Sequence, residues 1–120
     1  MSSEIRLLAS LSNAFGPPGS EEGVREVLRE ELEDYSDEVR VDRLGNILFY
    51  HHGSDSNPRV MLAAHMDEVA FLVTFVDENG FLRFQTLGGI TSNIMAGQRI
   101  LLRGEEDYLR GIIGTKPPHI

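Results

Sequence analysis

The sequence predicts an α/β chain built in two parts, a helix-rich α/β portion over residues 1–68 and a β-rich portion over residues 69–120. Three observations lead there. Apolar residues recur every three to four positions across 5–15 and 24–35, the spacing of amphipathic helices. After Asp37 the apolar period falls to two, the spacing of strands. After Glu68 no helical period returns, and short alternating runs are separated by Gly-containing turns.

Each element has its own justification. Ile5, Leu8, Leu11 or Ser12, and Phe15 form the first stripe, with Ser2 or Ser3 as its cap. Gly16-Pro17-Pro18-Gly19 must end that helix and form a loop. Ser20 offers an N-cap oxygen to the next helix, and Glu21 and Glu22 fall in the first turn, where the helix dipole favours negative charge. Val24, Val27, Leu28, Leu32 and Tyr35 make its apolar stripe; Arg25, Glu26, Arg29, Glu30 and Glu33 make its polar face. Val39 and Val41 then alternate with Arg40 and Asp42, Arg43-Leu44-Gly45-Asn46 reads as a turn, and 47–50 begins the return strand. The stretch 51–58 (HHGSDSNP) is a polar loop. The run 60–64 (VMLAA) is apolar at every position, which predicts a central strand over 59–65 covered on both faces. A hairpin follows: strand 69–76, a turn over 77–80 ending in Asn79-Gly80, and strand 81–87. Gly88-Gly89 breaks it, and 99–102 and 108–113 are two more strands around 104–107. Strands so spaced, without helices between them, suggest a small barrel or sandwich.

Composition narrows the function. A chain of 120 residues supports one modest core. Nineteen acidic residues against eleven basic ones give a net charge of −8, which disfavours nucleic acid and anionic membrane surfaces as partners. The absence of cysteine excludes disulfides, thiolate-bound zinc and thiol nucleophiles, and fits a cytoplasmic protein. No apolar run approaches the roughly 20 residues that span a bilayer. The N-terminal MSSEIRLLAS lacks the pattern of a signal peptide.

The most informative stretch is Ala63-Ala64-His65-Met66-Asp67-Glu68. It follows directly on the expected buried strand, and ligands of open α/β sheets bind beyond the carboxyl ends of strands. His65 there can bind zinc or cobalt through one ring nitrogen. Its other nitrogen then needs an acceptor. Asp67, two residues on, shares a face with His65 in extended chain, so its carboxylate could orient the imidazole or approach a metal-bound water. The competing reading is a His and an Asp in a polar turn, because H-x-D is a short motif. His51 and His52 are adjacent and point to opposite faces of a strand end, a poor chelate. His119 reads as a loop residue, and Glu68 as a turn carboxylate before a ligand or base. Neither a phosphate-binding glycine pattern nor a serine-nucleophile elbow occurs.

Taken in order, these pieces resemble the N-terminal part of the M42 metallo-aminopeptidases, the glutamyl and tetrahedral aminopeptidase group, some of whose relatives carry an endoglucanase label. The resemblance rests on Phe15-Gly16-Pro17-Pro18-Gly19-Ser20-Glu21-Glu22, Val24-Arg25, Asp42-Arg43-Leu44-Gly45-Asn46, and the stretch from Met61 to Glu68. It continues through Gly80-Phe81-Leu82-Arg83-Phe84, Leu87-Gly88-Gly89-Ile90, Gly97-Gln98-Arg99 and the run from Gly111 to His119. Within the motif, Ala70 stands where members usually have glycine. The resemblance implies a zinc-peptidase-like α/β catalytic domain, begun by 1–68, and an inserted β-barrel-like dimerisation domain, begun by 69–120. It implies an enzyme that removes N-terminal residues from peptides with two divalent metal ions, zinc or cobalt, in large dodecameric assemblies. His65 would be a ligand of one metal and Asp67 the catalytic-site carboxylate that positions it. Family chains run much longer and carry their other ligands and general base later. The expectation is therefore a truncated segment with an empty or partial metal site, inactive alone, whose partner is a further copy or a chain supplying the C-terminal part. The alternative is a non-catalytic stand-alone domain acting through binding or assembly.

Overall fold

The computed structural model describes residues 2–55 and 57–115. Helices and strands both occur, and both helices longer than one turn lie in the first half, as an α/β chain of this pattern requires. The chain divides into two compact units between Gly88 and Gly89, and each is described by itself.

In the first unit, α1 spans Ser3–Asn13 and α2 spans Glu22–Leu32. The helix α1 ends before Phe15, and Asn13 closes it by donating its side-chain amide to the Ala9 carbonyl at 2.7 Å. The loop that follows turns at Gly19, whose φ of +82° suits glycine, with the Ser20 amide donating to the Pro17 carbonyl at 2.9 Å. The helix begins one residue later than expected, with Glu21 rather than Ser20 at the N-cap, and the Ser20 hydroxyl donates to the Glu22 carboxylate at 3.3 Å. Glu21 in turn accepts the Gly19 amide at 2.6 Å, which ties the loop to the helix start. Val24 on α2 is buried, and a β-carbon on Gly16 would lie 2.5 Å from its Cγ2, so the loop passes over the helix at a distance only glycine allows.

Two antiparallel hairpins complete this unit: β1 (Glu38–Val41) with β2 (Ile47–Tyr50), and β3 (Ala70–Val76) with β4 (Leu82–Leu87). Their turns are built alike. In each an aspartate is followed three residues later by a glycine of positive φ, Asp42 with Gly45 (φ +89°) and Asp77 with Gly80 (φ +82°). The glycine amide donates to the aspartate carbonyl at 3.1 Å in both. The aspartate carboxylate accepts two further backbone amides, those of Leu44 and Asn46 in one turn and of Asn79 and Phe81 in the other. This is the three-residue hairpin loop with a left-handed glycine. The Asn79-Gly80 pair therefore works through Gly80 as the left-handed residue, not as a two-residue turn. The rings of Phe71 on β3 and Phe84 on β4 meet edge to face at 4.7 Å.

The second unit holds a third antiparallel hairpin, β5 (Arg99–Arg103) with β6 (Tyr108–Ile112). Ile113 is its buried residue, and its backbone joins Gly97 and Gln98 at 2.8 and 2.9 Å. Among the described residues after Glu68 the only helical piece is the three-residue 3-10 turn Ser92–Ile94.

The central strand expected over 59–65 is not formed. Residues 59–69 carry no regular structure, and Val60, Met61 and Leu62 are 80–93% exposed. A strand is defined by its ladder, and no described segment runs beside this one to pair with it. No described helix is long and apolar enough to cross a membrane.

The two matched turns allow a comparison. Gly80→Ala meets open space, so its cost is backbone strain alone, about 1–2 kcal/mol. Gly45→Ala carries the same strain and also displaces the Arg25 guanidinium from the Gly45 carbonyl, so it should cost more by the loosened hydrogen bond, about 1 kcal/mol. Urea unfolding of the two variants checks this, and equal losses would contradict the packing described.

Candidate metal centre

His65 and Asp67 lie in an irregular segment, not at a strand end. Their side chains nevertheless meet. The His65 Nδ1 is 3.3 Å from the Asp67 Oδ1 and 3.0 Å from the Asp67 carbonyl oxygen. A carbonyl oxygen only accepts, so Nδ1 must carry the proton. The Nε2 lone pair is then the one left for a ligand, which is the tautomer a metal-binding histidine needs. The His65 side chain is 85% exposed, so the contact adds little stability; its effect is to select tautomer and ring orientation.

The segment is held from beneath. The Glu68 amide donates to the Gly16 carbonyl at 2.9 Å, and Gly16 rests on Val24 of α2. A shallow pocket of about 140 Å³ opens here. One wall is the stretch 64–67 with His65 and Asp67, the other is the β1–β2 turn at 44–46, and Glu21 contributes at the helix start. The turn wall is tied by Asp42, whose Oδ2 accepts the Asn46 side-chain amide at 2.8 Å. That hydrogen bond, assisted by the Asn46, Leu44 and Gly45 backbone amides and opposed by desolvation, lowers the Asp42 pKa from its ordinary value.

The other histidines stand apart. His51 lies past the end of β2 with its Nδ1 3.7 Å from the Asp37 carboxylate, and the His52 backbone amide donates to the same carboxylate at 2.6 Å. These contacts, the backbone hydrogen bond first, lower the Asp37 pKa. His119 lies outside the described residues. Among the described residues no three His, Asp or Glu side chains gather as a metal cluster. Sequence reasoning missed the turn wall and its anchor. Arg25, assigned to the polar face of α2, has a side chain only 14% exposed and donates to the Gly45 carbonyl. The signal available was the left-handed glycine in a tight turn beside the His65 segment.

Comparison with known proteins places these features among peptidases. Along 99% of its length the chain matches the crystal structure of a TET aminopeptidase from the marine sediment archaeon Thaumarchaeota archaeon SCGC AB-539-E09, with 43% identity and a TM-score of 0.92, covering 33% of that chain. It also matches a Pyrococcus horikoshii TET1 peptidase described as able to assemble into a tetrahedron or a large octahedral shell. There the TM-score is 0.81 at 34% identity, over 98% of this chain and 35% of the other. The lysyl aminopeptidase of Pyrococcus furiosus is 35% identical over 115 residues, 95% of this chain and 33% of the relative. The class these neighbours define is aminopeptidase. The profile of the M42 glutamyl aminopeptidase family matches residues 45–120, and the chain belongs to that family. It spans about a third of the length of the curated relatives it matches.

Two outcomes are expected. Long-range 1H–15N spectra should show His65 with its proton on Nδ1, and a proton on Nε2 would contradict the Asp67 contact. For Asp42, the folded-state pKa lies below the unfolded one, so its contribution is present above the unfolded pKa and is lost as pH falls through the folded pKa. Asp42→Asn should therefore flatten the acid limb of a stability-against-pH curve; an unchanged acid limb would remove the carboxylate from this role.

Proposed function

We propose that this chain carries the histidine–aspartate part of a metal-dependent aminopeptidase site that removes N-terminal residues from peptides. The observation that carries the reading is the His65–Asp67 pair, with Nδ1 committed to Asp67 and Nε2 left for a metal. Zinc or cobalt suits an imidazole donor. Bound divalent ions lower the pKa of water and polarise a peptide carbonyl. His65 would supply one ligand through Nε2, and Asp67 would hold the ring in the ligating tautomer. The remaining ligands would come from outside the described residues, in a longer form of the protein, in a second chain, or in both.

In the same reading, residues 1–68 belong to the catalytic domain, and 69–120 begin a β-barrel-like dimerisation domain whose first hairpins are β3–β4 and β5–β6. The tetrahedral and octahedral assemblies of the Pyrococcus horikoshii relative support a homo-oligomer here. A cytoplasmic peptidase acting on peptides, and not on nucleic acid or membranes, fits the acidic composition. A second reading, a non-catalytic assembly domain, draws on the exposure of Val60, Met61 and Leu62, apolar surface suited to association.

The test is a zinc and cobalt titration of the protein and of His65→Ala, alongside cleavage of aminoacyl-anilides. Metal-dependent turnover lost in His65→Ala by a hundredfold or more supports the peptidase reading. Metal binding unaffected by His65→Ala would overturn it, and association without metal binding would favour the assembly reading.

A further inference from the structure

We infer that Arg25 is a positioning residue for this pocket, one that sets the stance of the turn facing His65 without touching a ligand. The inference rests on the reading of the pocket as the functional site, and it extends to a residue that lies outside the pocket lining.

An arginine on the polar face of a surface helix is ordinarily solvated, yet the Arg25 side chain is 14% exposed. It sits there because it has a specific acceptor. Its Nη1 donates to the Gly45 carbonyl, 20 residues away in sequence, and its Nη2 lies 3.4 Å from the Glu22 carboxylate one helical turn back. Glu22 is 62% exposed, so the ion pair is screened and the carbonyl is the directed contact.

Gly45 is shaped to receive it. Its φ of +89° is a left-handed value, and a β-carbon would stand 2.7 Å from the guanidinium. A β-carbon here would push the guanidinium aside, so glycine leaves room for Arg25 to reach the carbonyl. The far side of the same turn, at 44–46, is one wall of the pocket whose other wall is 64–67. The neighbouring residue on the helix secures that second wall. Val24 lies under Gly16, and the Gly16 carbonyl holds the Glu68 amide, next to Asp67. Consecutive residues of α2 thus back both walls, Val24 the wall with the imidazole and Arg25 the wall opposite. Moving Arg25 releases one wall and leaves the other in place, which changes the separation between the turn and His65. Width of that kind governs what enters a site and how it is held.

The experiment is an NMR double-mutant cycle on the protein, with thermal melts alongside. In the wild-type background, His65→Ala removes the ring beside the turn and should shift the Gly45 and Asn46 amide signals. In the Arg25→Ala background the same change should shift them by less than half as much, and Arg25→Lys, which keeps one donor, should restore most of the shift. A merely structural role for Arg25 lowers the melting temperature and leaves the His65-dependent shifts intact; that result would overturn the inference. If Arg25→Ala does not fold, Arg25→Gln takes its place in the cycle with the same two outcomes. Addition of zinc ion separates the two claims. Loss of coupling in Arg25→Ala, with no zinc-induced change at His65 in the wild type, would refute the metal reading and leave the positioning role standing. Zinc-induced changes at His65 with coupling intact in Arg25→Ala would do the reverse.

Discussion

Two consecutive residues on the first turn of α2 carry the geometry around His65. Successive helical side chains diverge by about 100°, so Val24 and Arg25 reach different neighbours from one rigid base. Val24 packs against Gly16, and Gly16 fixes the backbone at Glu68. Arg25 fixes the backbone at Gly45. Glycine stands opposite the helix at both contacts: a β-carbon on Gly16 would overlap Val24, and one on Gly45 would displace the Arg25 guanidinium. The site is therefore assembled from three segments distant in sequence, the loop at 16–19, the turn at 42–46 and the stretch 64–68, each referred to the same helix turn. An irregular stretch such as 64–68 has no ladder of its own, so this backing is what defines where His65 stands.

The hairpins were legible because their signals are local. Alternation at 39–42 and 82–87 marks strands, and aspartate with glycine three residues on marks the turn, since a carboxylate gathers the backbone amides and glycine takes the left-handed residue. Helix stripes were legible for the same reason. The larger misreadings concern partners far away in sequence. An all-apolar run at 60–64 predicts a covered central strand, but coverage depends on neighbours, and none of the described segments supplies one. Arg25 falls on the polar side of its helix by periodicity, yet a carbonyl 20 residues on draws it inward. The start of α2 was misplaced by one residue, with Glu21 and not Ser20 at the N-cap. Of the candidate site, the proximity of His65 and Asp67 was legible from their spacing, whereas the facing wall was not, because nothing in the local pattern relates residue 45 to residue 65.

Membership of the M42 glutamyl aminopeptidase family and the geometry at His65 meet on one atom. The Asp67 carbonyl accepts from Nδ1 and the Asp67 carboxylate lies 3.3 Å from the same nitrogen, which leaves Nε2 as the nitrogen with a lone pair in the neutral ring. An imidazole so oriented is prepared for one coordination bond and no more. The exposed apolar run leading into His65 offers a surface on which further chain can pack.

The most direct measurement is X-ray diffraction from zinc-soaked crystals of the assembled protein at wavelengths on either side of the zinc absorption edge. An anomalous peak is expected at about 2.0–2.1 Å from the His65 Nε2, with Nδ1 still turned to Asp67. A zinc peak at Nδ1, or full zinc occupancy in a centre to which His65 does not contribute, would contradict it.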